Sequence, residues 1–320
     1  METIAITGAS GFVGQHLMTT LMNHSDCHLR VLVRGNQYPR IFYSNRVEVI
    51  KGDLTREDQL YEFITPGSIV VNLAYLSSNS LSQNLLGARN LMSVCRQSKI
   101  KRLIHCSTAA VAGRAKDTIV TEETHCKPLN EYEVTKFEIE NELMRGYEKK
   151  FELVIIRPTA IYGPGVKNLM KLANELTRGN NFLSYLRSSL FNCRKMNLVS
   201  IENVTQAIRY LAFVRNSIDG EVFIISDDEQ PMNNYRDVEK CLRRSLNVKD
   251  FSIPIIPLPQ TFLSTALAAL KRSNVNPSRV YSSEKIKLLG FTGNIGIEEG
   301  ITLFANWYKA EVLQGKPAAR

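Results

Sequence analysis

The sequence predicts an α/β protein built on a doubly wound, mostly parallel sheet with a smaller C-terminal lobe. Three observations predict it. Short β-type runs alternate with helical stretches through the first half, a glycine-rich turn joins the first strand to the first helix, and the rhythm loosens after Gly163-Pro164-Gly165.

In order, Ile4 to Thr7 reads as a strand, Gln15 to Asn23 as a helix, and Arg30 to Val33, Val47 to Ile50 and Ile69 to Leu73 as strands. A helix near Ser82 to Ser98 follows, then a strand from Arg102 to Cys106, a helix from Glu133 to Tyr147 and a strand from Leu153 to Arg157. Beyond the loosening, Ser200 to Val214 reads as a helix after a short strand, and Glu221 to Ile225 as a β-branched run. Both are expected to return to the sheet. No internal repeat or low-complexity linker interrupts the series.

Composition excludes several classes. The 320 residues are 44% hydrophobic and 22% charged, far from disordered, collagenous or disulfide-scaffold chains. The N-terminus lacks a basic segment followed by an apolar one, so a cytoplasmic protein is expected. The least polar later stretch, Ile253 to Leu270, is broken by Pro254, Pro257 and Pro259 and leaves roughly ten helical residues, too few for an integral membrane span. A membrane-grazing helix stays open. Six cysteines and five histidines show no zinc-ligand spacing, so no metal is expected and the thiols read as reduced. Lys and Arg number 40 against 31 Asp and Glu, a net +9 that suits a phosphorylated small substrate or an anionic surface. The basic residues are scattered, which argues against nucleic acid.

The turn after the first strand is Thr7-Gly8-Ala9-Ser10-Gly11-Phe12-Val13-Gly14. Glycines at this spacing let backbone N–H groups approach a pyrophosphate at the positive end of a helix, and Gly14 permits close helix–sheet packing. Placed between a strand and a helix, Gly8, Gly11, Phe12, Val13 and Gly14 predict a Rossmann-type dinucleotide site. The second strand ends at Arg34, where an acid would bind the ribose hydroxyls of NAD. A guanidinium there pairs with a 2′-phosphate, so NADP is favoured over NAD. Arg34 also reads as a solvated strand-end residue. Asp53 and Leu54, after the third strand, and Leu73 and Ala74, after the fourth, are expected beside the adenine and the middle of the cofactor. On this reading residues 1–165 form the NAD(P)-binding domain, with returning segments near 198–227, and 166–320 mainly a substrate-binding lobe.

Tyr132 and Lys136 stand at i and i+4, on one helix face. The ammonium is expected to lower the phenol's pKa, fitting Tyr132 to exchange a proton with a hydroxyl or carbonyl, while Lys136 holds the nicotinamide ribose. A third hydroxyl is expected at the end of the preceding strand, where Ser107 and Thr108 are adjacent candidates.

At these residues the chain resembles the extended short-chain dehydrogenase/reductases, the NAD-dependent epimerase/dehydratase family. Ser107-Thr108-Ala109-Ala110-Val111-Ala112-Gly113 is similar to the family's catalytic hydroxyl segment, with Ala112 at its usual Tyr place. The resemblance implies that Thr108 is catalytic and meets substrate, that Ser107 supports the cofactor, and that Asn84 is the relay asparagine; a helix-start cap is the plain alternative for Asn84. Arg157 to Gly165, including Pro158 and Ile161, resembles the segment beside the nicotinamide, and Asn197 to Val204 a later family segment.

Members that dehydrate sugars place Asp-Glu after the catalytic Thr, and this chain has Ala109-Ala110, so a 4,6-dehydratase is not expected. The resemblance points to bacterial nucleotide-sugar 4-ketoreductases and 4-epimerases of surface-polysaccharide synthesis. Lys167, Asn168, Arg194 and Lys195 would then meet the substrate, the cationic ones at its diphosphate. Arg34 tilts the expectation toward the reductase. The rivals are the 4-epimerase, a steroid- or flavonoid-type oxidoreductase, and a non-catalytic dinucleotide sensor. The family also implies a homodimer formed through the Tyr-Lys helix.

Overall fold

The computed structural model describes residues 2–35, 38–76, 80–166, 168–270 and 273–315. Its first elements are β1 (Glu2–Thr7), α1 (Phe12–His24), β2 (Cys27–Val33), β3 (Val47–Lys51), α2 (Glu57–Phe63), β4 (Ile69–Asn72), α3 (Leu81–Gln97), β5 (Arg102–Cys106), β6 (Ile119–Val120) and α4 (Glu131–Arg145). Then come β7 (Glu152–Pro158), β8 (Ala160–Tyr162), α5 (Met170–Arg178), α6 (Asn181–Phe191), β9 (Leu198–Ser200), α7 (Ile201–Phe213) and β10 (Val222–Ile225). The chain closes with α8 (Tyr235–Ser245), α9 (Gln260–Ala269), β11 (Val280–Tyr281), α10 (Glu284–Leu288) and α11 (Ile297–Tyr308).

Seven strands form one sheet in the order β10-β7-β5-β4-β1-β2-β3. The ladders from β3 through β7 are parallel, so the expected doubly wound sheet is present. Strand order reverses between β1 and β4, which opens a crevice at their carboxyl ends. Two compact units divide the chain. Met1–Val111, Asn130–Arg157 and Thr205–Phe223 make the first, and Ala112–Leu129, Pro158–Val204 and Ile224–Arg320 the second.

In the first unit the central strands are apolar runs buried on both faces, as parallel strands must be. Ala5, Val70, Leu103 and Leu153 pack on one side against Leu91 and Leu143 of α3 and α4. Alternation sends Ile4 and Ile6, also fully buried, to the opposite side. Helix α1 buries Gly14, Leu17, Met18 and Leu21, a 3.6-residue stripe. Thr20 of α1 hydrogen-bonds Thr205 of α7 at 3.0 Å.

The second unit has its own core, in which Tyr162, Leu176, Leu198, Leu242, Ile301 and Phe304 meet. Strand β9 pairs with β8, in parallel, instead of entering the large sheet, and β6 pairs with β11. Among the described residues no helix is long and apolar enough to cross a membrane, and no cluster of potential metal ligands is found.

Candidate active site

The crevice predicted by the strand order is a cleft of about 280 Å³ within the first unit. Its walls follow the carboxyl ends of four neighbouring strands: Thr7 to Gly11 after β1, Arg34 after β2, Gly52 and Leu54 after β3, and Leu73 to Leu76 after β4. Gly8, Gly11, Arg34, Leu54, Leu73 and Ala74 thus share one wall system. Phe12, Val13 and Gly14 form the first turn of α1. Asp53 sits between two lining residues, but its Oδ1 accepts from the Thr55 backbone and hydroxyl at 2.8 Å.

The glycines have separate physical tasks. Gly8 has φ +69°, and a Cβ there would lie 2.8 Å from the Ala74 nitrogen. At Gly14 a Cβ would meet the Gly8 carbonyl oxygen at 2.3 Å, so that glycine lets α1 touch the turn. Helix α1 has Gly11 as N-cap with no side-chain cap, leaving its first-turn N–H groups available to an anion. The residues present therefore fit a dinucleotide's pyrophosphate. Arg34 is exposed and, among the described residues, has no acidic partner. Gly8→Ala is expected to weaken dinucleotide binding about tenfold or more, because a left-handed alanine alone costs roughly 1–2 kcal/mol and the collision is with backbone. Fluorescence titration with NADPH measures it.

The floor of the site is a hydrogen-bonded chain across three strands. The Ala74 N–H donates to Thr7 Oγ1 at 3.3 Å, Thr7 Oγ1 to Asn72 Oδ1 at 2.6 Å, and Asn72 Nδ2 to His105 Nδ1 at 3.0 Å. Burial, with the Lys136 charge, holds the His105 imidazole neutral, so Nδ1 is the acceptor and Nε2 carries the proton. Ser107 is buried and its Oγ has no partner among the described residues, an orphan polar atom that a bound group would satisfy.

Helix α4 starts on a reciprocal cap. Asn130 accepts from the Glu133 N–H at 3.0 Å and donates to the Glu133 carboxylate at 2.6 Å. The cap fixes the turn that carries Tyr132, and one helical turn on, Lys136 is buried. Its Nζ donates to the Cys106 carbonyl at 3.0 Å and lies 5.1 Å from the Tyr75 ring centroid. Tyr75 in turn meets Tyr132 edge to face at 5.3 Å. Because Tyr75 also lines the cleft, it joins the dinucleotide crevice to the Tyr132–Lys136 pair. The sequence offered no signal for Tyr75 beyond an aromatic residue after a strand.

The expected depression of the Tyr132 pKa is not found. Burial pushes the phenol up to about 12, and only its hydrogen bond with Thr108 pulls the other way among its principal neighbours. Cys106 is also a neighbour, but burial raises that thiol's pKa and keeps it neutral at working pH, so it adds no negative charge there. Lys136 is lowered by burial, with the Glu140 carboxylate opposing. The ammonium is committed to a carbonyl and a ring face, and the phenol stays protonated. Thr108 accepts from the Ala110 N–H at 3.2 Å, which orients its hydroxyl on the turn of Ala109–Ala112.

Asn84 is buried in α3, yet it is not the cap. Ser80 caps the helix by accepting from the Gln83 N–H, while Asn84 exchanges hydrogen bonds with the Leu76 backbone at 3.1 Å in each direction. It clamps the strand-end loop that lines the cleft.

The remaining predicted residues belong to the second unit. Pro158 ends β7 and Ile161 lies in β8. Asn168 donates to the Ile161 carbonyl, Arg194 lies 5.6 Å from the Phe191 ring, and the Lys195 N–H donates to the Pro277 carbonyl at 2.8 Å. Lys167 lies outside the described residues.

A switch-point crevice with an uncapped helix start, joined through Tyr75 to a phenol and an ammonium, fits a dinucleotide placed beside a proton-bearing side chain. The family model described as NAD dependent epimerase/dehydratase matches residues 4–231, and the chain belongs to that family. It is 24% identical to sterol-4-alpha-carboxylate 3-dehydrogenase, decarboxylating, of Saccharomyces cerevisiae, covering 96% of this chain and 98% of that enzyme. It is 29% identical to UDP-glucose 4-epimerase of Vibrio cholerae over 71% of each chain. The fold matches the crystal structure of UDP-glucuronic acid 4-epimerase from Bacillus cereus in complex with NAD, at TM-score 0.72 and 19% identity over 99% of both chains.

Proposed function

We propose that the protein reduces a ketone at C4 of a nucleotide-diphosphate sugar with NADPH, in surface-polysaccharide synthesis. The observation that carries the reading is the cluster around Tyr132, a protonated phenol hydrogen-bonded to Thr108 and joined to the dinucleotide cleft, with Ala109-Ala110 supplying no second acid–base pair. The bound dinucleotide supplies the hydride. Tyr132 donates its proton to the carbonyl oxygen as that oxygen gains charge, Thr108 hydrogen-bonds the same oxygen, and Lys136 would hold the nicotinamide ribose of the bound dinucleotide. Ser107 takes a cofactor polar group, Asn84 acts as a positioning residue through Leu76, and Arg194 and Lys195, with Lys167 and Asn168, recognise the substrate. Likeness to the Vibrio cholerae epimerase supports the sugar.

Arg34 supports NADPH over NADH. Arg34→Ala is expected to weaken NADPH binding about 10- to 100-fold and leave NADH nearly unchanged, since one charge-assisted pair with a phosphate is worth roughly 1.5–3 kcal/mol. The reductase reading is tested by NADPH consumption with a nucleotide 4-keto-6-deoxy sugar. Cofactor-neutral interconversion of C4 epimers would make it an epimerase.

A second reading has its own observation. The likeness to the yeast sterol dehydrogenase runs through nearly all of both chains, which favours oxidation of a ring hydroxyl on an apolar substrate. Turnover of a sterol and none of any nucleotide sugar would establish it instead.

A further inference from the structure

Helix α6 is built inside out. Within the second unit it buries Ser184, Ser188 and Ser189, with Ser188 donating to the Glu239 carboxylate of α8. Its opposite side carries Phe182, Leu183 and Leu186, which are 65%, 52% and 45% exposed. A helix at the surface of a globular protein normally presents the reverse pattern.

The neighbouring segment extends this face. Tyr185 donates to the Pro254 carbonyl at 3.0 Å, and the Leu258 N–H donates to the Ser189 carbonyl at 2.9 Å, so the proline-rich stretch lies along α6 and leads into α9. There Ile253, Ile256 and Phe262 are 60%, 69% and 66% exposed. Helix α9 buries Leu263 and Leu267, and Leu270, just past its end, is exposed. An apolar surface shared by two helices and the strap between them marks an interaction site.

The charge around the face says which partner it fits. No acidic residue occurs between Glu175 and Glu202, or between Asp250 and Glu284. Those two stretches hold Arg178, Arg187, Arg194, Lys195, Lys271, Arg272 and Arg279, of which Lys271 and Arg272 lie outside the described residues. Of the bordering acids, Glu175 pairs with Arg187, which takes both charges out of the balance, and Asp250 pairs with Arg236. Arg279 is buried on the Gly113 and Ala115 carbonyls and does not contribute, whereas Arg178 is exposed. An apolar face carried by two stretches that hold cations and no acid, with the exposed Arg178 beside it, suits the headgroup boundary of an anionic bilayer.

We propose that the face formed by α6, the 251–259 strap and α9 seats the protein on the surface of an anionic lipid bilayer. The inference goes beyond the substrate reading and does not depend on it, since no substrate enters the test and the dinucleotide serves only to check that the variants fold. The full chain is expected to co-sediment with vesicles of phosphatidylcholine and phosphatidylglycerol in equal parts, less with phosphatidylcholine alone, and less again as salt is raised. Leu186→Glu with Phe262→Glu should reduce the bound fraction about tenfold or more while NADPH affinity holds. Ile256→Asp, in the irregular strap, repeats the test without altering a helix. Equal retention on both vesicle types, no retention, or retention unchanged in the variants would overturn the proposal. So would a dimer that the same substitutions convert to monomer without a change in vesicle binding, because the face would then join two copies of the chain.

Discussion

Tyr132→Phe is expected to reduce turnover about 100- to 10,000-fold, with a much smaller change in NADPH affinity. The phenyl ring keeps the edge-to-face contact with Tyr75 and therefore the packing beside the cleft, but it has no proton to give. The pH dependence follows from the direction of the shift. A phenol pushed up to about 12 keeps its proton through neutral solution, so donation to a carbonyl stays available there, and the first alkaline loss comes from Lys136, whose ammonium burial holds below its ordinary value. Oxidation of an alcohol needs the phenolate and should accelerate with rising pH over the same range. Measuring kcat in both directions between neutral and strongly alkaline pH tests this. A reduction rate that falls near neutrality would mean that another group is the donor. An unchanged rate in Tyr132→Phe would remove the phenol from the chemistry altogether.

The scaffold was legible because it is local. β1, the glycine turn and α1 are contiguous, β5 was found to the residue, and a buried parallel strand declares itself as an apolar run. The i, i+4 spacing of Tyr132 and Lys136 likewise follows from one helix. What failed was whatever depends on neighbours distant in sequence. The helical spacing suggested that Lys136 would act on Tyr132, but the ammonium finds the Cys106 carbonyl and the Tyr75 ring, and burial then governs the phenol. Tyr75 comes from the loop after β4 and acquires meaning only from α4. Asn84 looked like either a relay or a cap; the cap is Ser80, and the clamp on Leu76 is a contact that no spacing rule announces.

Short pairings were invisible for a related reason. β6 and β11 are two residues each, too short for any period, and their register joins segments far apart in the chain. Helix α6 shows a different limit. An apolar stripe at helical spacing says that one face is greasy, and by default that face is assigned to the core. Here the core side is serine, and only coordinates reveal the inversion.

Glu140→Leu should lower stability by about 3–5 kcal/mol, the cost of breaking a buried ion pair. Arg157 grips the Glu140 carboxylate through Nε and Nη2, the latter at 2.6 Å, and both side chains are nearly excluded from solvent. Removing the acid takes its carboxylate partner away from a buried guanidinium. Combining Glu140→Leu with Arg157→Met removes both charges, so most of the loss in thermal midpoint should return. Activity should not return with it. Glu140 lies one helical turn beyond Lys136 and is one of the groups that keep the buried ammonium charged against desolvation. With no carboxylate there, the Lys136 pKa falls further, and the cation is lost at a lower pH as solution becomes alkaline. The double variant should therefore recover most of the parent's melting midpoint yet show its alkaline loss of kcat earlier. A purely structural pair would leave the pH profile where it was, and that outcome would confine Glu140 to the fold.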